Sequence, residues 1–381
     1  MVQSLIISSA ETEREVMKTH HLNFCTRLIL VGPSILRVGH NTTPRLCVDA
    51  DVFNCFKDDS RQFKSSLHED IKGMLSFNDA SHLAFEGEDI LDEAKYLTTT
   101  YLKEIKTPIG TSLSLPKLVS HSLELPLHWR MQRLEARWYT EVCMKEGDID
   151  HDLLKFAILN FNMVQETHQN DLKDMSRWWK DLGLGSHPKL SFARDRLMEC
   201  FFWTTGVIGD PRFYYYRKWY KKLNTMVTTI DDVYDVYGTL DELTLLREQD
   251  ITKEALECLG SCPNVIRSSS MILRLSDDLG TSKAELERGD VPKSIQCYMH
   301  ETGVSEEVAC EYIRHMIGNL WKKMNKDRLD DSVFSQTYIE AVVNLARMAQ
   351  CMYQYGDGHG VPDRETKGRV LSLLVEPIME I

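Results

Sequence analysis

Ile230-Asp231-Asp232-Val233-Tyr234-Asp235-Val236-Tyr237-Gly238 closes a long aromatic-rich run that begins near Pro211. On a helix, Asp231 and Asp235 stand at i and i+4 and share a face. Two carboxylates stacked there, just after the apolar Met226-Val227, repel each other unless a cation sits between them. Hard divalent ions such as Mg²⁺ take oxygen ligands and bridge a few carboxylates to a substrate phosphate. Alone, the pair reads first as the solvated acidic end of a helix.

A second stretch changes that balance. In Ser276-Asp277-Asp278-Leu279-Gly280-Thr281-Ser282-Lys283-Ala284-Glu285, the oxygen donors Asp277, Thr281 and Glu285 recur at i, i+4 and i+8, on one helical face. Arg274 lies one turn earlier, where a guanidinium can grip a phosphate bidentately. Upstream, Arg194 and Arg196 flank Asp195 shortly before Phe201-Phe202-Trp203. Trp203 follows Arg196 at i+7, so it can face the same cavity and offer a π-face to a carbocation. Buried tryptophan is commonly just core. Two acidic faces and three arginines together describe a site for a diphosphate chelated by Mg²⁺.

Here the chain resembles plant class I terpene synthases, of the group whose members mostly make monoterpenes (ocimene or myrcene type). The resemblance rests on Arg194-Asp195-Arg196, on the Asp231–Asp235 motif and on the stretch from Asp277 to Glu285. It extends to Leu127-His128-Trp129-Arg130, Arg137-Trp138-Tyr139, Ser176-Arg177-Trp178-Trp179-Lys180, Arg288-Gly289-Asp290-Val291 and Tyr355-Gly356-Asp357-Gly358-His359-Gly360. It runs from about residue 48 to the end. It implies an all-α chain of two helical domains, residues 1–145 and 146–381, the second a metal-binding catalytic bundle.

The resemblance also implies a carbon–oxygen lyase acting on a prenyl diphosphate, geranyl diphosphate before farnesyl diphosphate. Asp231, Asp235, Asp277, Thr281 and Glu285 would hold metal, three Mg²⁺ with Mn²⁺ as the alternative ion. Arg194, Arg196 and Arg274 would neutralise the leaving group, and Trp203 would wall the pocket. Asp232 reads as a supporting or solvated residue. The glycine-rich loop 355–360, with Tyr355 on the substrate side, reads as a cap over the mouth, with a plain surface turn as the competing account.

Bulk properties agree. The chain has 381 residues, enough for two cores. With 45 basic and 57 acidic residues the net charge is −12, and no sustained basic run exists to bind nucleic acid. Ten scattered cysteines without a Cys-x-x-Cys pair read as reduced, mostly buried thiols. No apolar run reaches the ~18 residues of a membrane span. The expected partner is one small molecule, and the expected state a monomer.

Two departures from the family pattern stand out. Residues 1–10 are apolar and contain serine, but Glu11, Glu13 and Glu15 follow and no Arg-Arg occurs, so no transit peptide is legible. The family implies a plastid address; the cytoplasm is expected if this N-terminus is complete. Residues 22–45 do not fit the pattern either, which reads as a truncated or rearranged start. The larger departure is internal: only 46 residues separate Asp231 from Asp277. Residues 241–246 belong just after the first motif, and 251–256 just before the second. A deletion near 246–251 would remove several wall helices. Each apolar side chain so exposed forfeits roughly 1.5–3 kcal/mol, against a total stability of about 5–15. A catalytically inactive remnant, at most a binding protein, is therefore the alternative reading. A chain-elongating prenyltransferase is disfavoured because the second motif is not a second Asp-Asp-x-x-Asp.

Local patterns predict helical pieces at 69–75, 80–85 and 88–104, and an aromatic and basic docking helix carrying Trp129, Arg130, Arg133, Arg137 and Trp138. Leu154, Ala157, Ile158, Phe161 and Val164 make a further stripe. Pro211 starts the helix that leads to Asp231, and Ser305 caps another whose inward stripe is read as Val308, Tyr312, Met316 and Leu320. The last stave is read at 334–353, with Ile339, Val342, Val343 and Ala346 facing inward.

Overall fold

The computed structural model describes residues 53–105, 114–145, 150–183, 195–232, 263–288, 292–328, 334–361 and 363–379. Among them the protein is all-α: no strand forms, and one isolated bridge pairs Lys57 with Phe63. The chain divides into two compact units. One comprises Met1–Ala157, Leu329–Asp331 and Ile381; the other comprises Ile158–Arg328 and Ser332–Glu380.

The first unit holds α1 (Ile71–Ser81), α2 (Asp89–Glu104), α3 (Leu115–Glu124) and α4 (Gln132–Cys143). Asp70 caps α1 by accepting from the Gly73 amide at 2.9 Å. α1 runs unbroken through 76–79, where the pattern predicts two pieces. Asn78 and Asp79 occupy buried positions there and hide the apolar period. Their polarity is satisfied: the Thr98 hydroxyl donates to Asn78 Oδ1 at 2.9 Å, and Asn78 Nδ2 donates to Ser122 Oγ at 3.2 Å. Phe53, Phe77, Ala84, Leu91 and Ala94 form one core cluster; Met74, Leu75, Leu102 and Val119 form another. Of the aromatic and basic group, Arg130 and Arg137 are buried within this unit. Arg130 Nε donates to the Leu125 carbonyl at 2.9 Å, and Trp138 stacks on His121 at 3.5 Å between ring centres.

The division between units falls within α5 (His151–Leu182), whose Ile158, Phe161, Gln165 and His168 are buried. Then come α6 (Leu197–Val207), a 3-10 turn (Pro211–Phe213), α7 (Tyr214–Asp232), α8 (Asn264–Arg288), α9 (Ser294–Thr302), α10 (Glu306–Asp327), α11 (Gln336–Tyr353) and α12 (Arg364–Leu374). α8 lies against both α10 and α11, while α6 packs on α11 and α7. Serines let α8 approach α11 closely. Ser269 Oγ donates to the Val342 carbonyl at 2.6 Å, and Gln350 Nε2 donates to Ser276 Oγ at 2.8 Å. The inner face of α7 is anchored by the buried Arg217, whose guanidinium meets Asp171 of α5 at 2.7 Å.

Two expectations need correction. Ser305 does cap α10, accepting from the Val308 amide, but the buried stripe is Ala309, Ile313, Ile317, Trp321 and Met324. Val308 is 52% and Tyr312 41% exposed. The two stripes adjoin on the helix and both are apolar, so periodicity cannot choose between them. The described cysteines are also less buried than expected: Cys200 and Cys351 are buried, Cys143 and Cys310 intermediate, and Cys55 and Cys297 exposed.

Candidate active site

The α8 face is built as its spacing requires. Asp277 is largely buried, and that burial, against the pull of Arg274, pushes its carboxyl up to about 6, with Glu285 one repelling neighbour. The Thr281 hydroxyl donates its proton to the Asp277 carbonyl at 2.9 Å, which leaves oxygen lone pairs for another partner. One Glu285 oxygen lies 3.4 Å from Lys293 Nζ; the other is buried with no hydrogen-bond partner among the described residues. A desolvated pair of carboxylates, one oxygen orphaned, with a hydroxyl between them suits a hard divalent cation. Among the described residues no three His, Cys, Asp or Glu side chains gather at one point.

Arg274 is half exposed and engages carboxylates in this state: Nη1 stands 3.3 Å from Asp277 and Nη2 2.8 Å from Asp278. Asp278, buried, also accepts from the Ser294 amide at 3.1 Å, tying α9 to α8.

Tyr353, at the end of α11, is the residue that sequence reasoning missed. Its hydroxyl bonds to Asp277. Burial, then the charges of Asp277, Asp357 and Asp231, push its ionisation far upward. Asp231, in the last turn of α7, and Asp277, on α8, therefore act on one phenol. Trp203 sits edge-on to Tyr353 at 6.1 Å and to His359 at 6.0 Å between ring centres. His359 was legible only as part of a loop motif. Its ring nitrogen lies 3.4 Å from Thr228 Oγ1 of α7, and its carbonyl accepts from Arg196 Nη1 at 3.2 Å. The 355–360 loop is thus held to α6, α7 and α8 together. At Gly280 a Cβ would stand 2.9 Å from the Gly356 carbonyl, so α8 needs glycine there. Tyr355 is 47% exposed, with the Arg369 guanidinium 5.0 Å from its ring centre. Arg194 and Asp235 lie outside the described residues, as does the side chain of Asp232.

The terpene synthase metal-binding domain model matches residues 180–249 and again 245–323, taking in Asp231 in the first piece and Asp277 to Glu285 in the second. The terpene synthase N-terminal domain model matches residues 44–123. A myrcene synthase of Quercus ilex, named chloroplastic, is 45% identical over 429 positions, covering 87% of this chain and 71% of that protein. The chain belongs to the terpene synthase family. It is also 44% identical to an (−)-alpha-terpineol synthase of Vitis vinifera, over 87% of this chain and 72% of that one.

Solved terpene synthases share the fold. Isoprene synthase from grey poplar superposes with a TM-score of 0.81 at 32% identity, covering 95% of this chain and 91% of that one. A limonene synthase solved with 2-fluorolinalyl diphosphate gives 0.82 at 29% identity, covering 97% and 93%. Another isoprene synthase structure holds three Mg²⁺ ions and a thiolodiphosphate. This terpene synthase is thus a lyase by family, with an all-α fold and a metal-binding domain. The myrcene synthase alignment also carries an arithmetic signal. Since 87% of 381 residues is about 331, some 98 of the 429 aligned positions (429 − 331) have no residue of this chain opposite them.

Proposed function

We propose that the site binds geranyl diphosphate with Mg²⁺ and directs its ionisation to a monoterpene. The observation that carries this reading is the desolvated oxygen face of α8, where the Asp277 carboxyl, the buried Thr281 hydroxyl and a buried Glu285 oxygen without a hydrogen-bond partner share one side of the helix. Asp231 and Asp235 would hold metal on one side, and Asp277, Thr281 and Glu285 on the other, three ions in all. When bound, these supply Lewis-acid polarisation of the diphosphate oxygens. The chain's own groups do the remainder. Arg194, Arg196 and Arg274 receive the departing diphosphate; for Arg274 this means releasing Asp277 and Asp278. Trp203, Tyr353 and His359 present aromatic surface and exclude water. The 355–360 loop, with Tyr355, caps the mouth.

A second reading has its own support. The metal-binding domain matches in two pieces that meet at 245–249, and about 98 aligned positions lack a counterpart. These favour an internal deletion near 246–251 within a catalytic domain of residues 146–381, behind an N-terminal domain of residues 1–145. Without the missing wall the site would bind diphosphate but not enclose an allyl cation.

Purified protein with Mg²⁺ and geranyl diphosphate, assayed by headspace analysis, decides between them, with farnesyl diphosphate run in parallel. A monoterpene supports turnover. Binding of inorganic diphosphate with Mg²⁺ but no volatile product supports the remnant, and absence of both overturns the site assignment. The plastid address, taken from relatives named chloroplastic, is tested by imaging a C-terminal fluorescent fusion.

A further inference from the structure

We propose that two copies of this chain associate through the outer face of α7, packed antiparallel about Leu223. Along that face Tyr216 is 67%, Trp219 68%, Leu223 60%, Val227 53% and Ile230 54% exposed. The spacing is 3, 4, 4 and 3 residues, a continuous seam of the kind that packs against another helix. It is also symmetric about its centre, at offsets −7, −4, 0, +4 and +7 from Leu223. A two-fold axis through Leu223 therefore sets Tyr216 against Ile230 and Trp219 against Val227, and Leu223 against itself. Such self-complementarity is what an isologous contact requires. It also opposes the helix dipoles of the two copies.

The extent fits a dimer. Large apolar side chains at these exposures sum to roughly 600 Å², the top of the range that a monomer ordinarily leaves in one patch. With flanking residues the face approaches the ~800 Å² per partner of a stable interface. The dimer is an alternative to the monomer expected from the sequence. It does not depend on the substrate reading, since the test reads mass and not turnover.

Sedimentation equilibrium of the full chain should give twice the 44.0 kDa monomer mass. Leu223→Glu should weaken association at least ~10-fold, or about 1.4 kcal/mol, with an unchanged circular dichroism spectrum. Tyr96→Ser, at a 75% exposed site of the first unit, should leave association as it was. Leu223→Cys should form an intermolecular disulfide above the background of the parent chain. Val227→Cys should not, because eight helical residues, about 12 Å, separate it from its own copy. A monomer at every concentration up to about 100 μM overturns the proposal. So does association indifferent to Leu223→Glu, or self-linking of Val227→Cys equal to that of Leu223→Cys.

Discussion

α7 and α8 carry the two acidic faces of the proposed site, yet their surroundings differ. α8 is gripped on its far side by α10 and α11, with Val265, Ile272 and Leu275 buried, and its ligand side is desolvated. α7 is anchored through Arg217 on its inner face but leaves a row of large apolar side chains in solvent. Carboxylate spacing on a helix is thus independent of whether the helix is walled in. A metal face can be intact in sequence on a helix whose neighbours cover it only in part.

The largest test of this contrast lies inside α7. Arg217→Met leaves Asp171 buried without its cation and should cost about 3–5 kcal/mol, read as a lowered urea midpoint. Loss of less than ~1 kcal/mol would mean that the inner face of α7 is as weakly held as the outer. On α8, Ile272→Ala removes a fully buried side chain and should cost about 2–5 kcal/mol in the same measurement.

A pH series carries the comparison to the first unit, where burial acts on a cation in place of a carboxylate. His82, in the first, is held down to about 3 by burial and then by the charge of Lys95. The unfolded chain therefore takes up a proton that the folded chain refuses. The stability from this group is complete above pH 6.5 and is lost as pH falls from there toward 3. The slope should reach about 1.4 kcal/mol per pH unit, and His82→Gln should flatten it.

Smaller effects follow at the site. Glu285→Gln should weaken Mn²⁺ binding, followed by electron paramagnetic resonance, by about 10-fold or more, while the melting temperature holds. Unchanged Mn²⁺ affinity would remove Glu285 from the ligand set. Smallest of all, Leu223→Ser on the exposed row should change monomer stability by no more than about 0.5 kcal/mol.

Much of the proposed site was legible because helical periodicity alone dictates its spacing. Asp277, Thr281 and Glu285 share a face wherever that segment is a helix. Ser305 starts its helix by accepting from the Val308 amide through its own hydroxyl, and Pro211 opens the turn before α7. These are local facts, set by bonds within a few residues. Tyr353 and His359 were not legible as site residues, because nothing near them in the chain says that Asp277, Trp203 and Thr228 will be their neighbours. The buried stripe of α10 and the bare row of α7 escaped for the same reason. An apolar residue is chemically alike whether covered or not, and only the helix that arrives, or fails to arrive, from elsewhere in the chain takes it out of water.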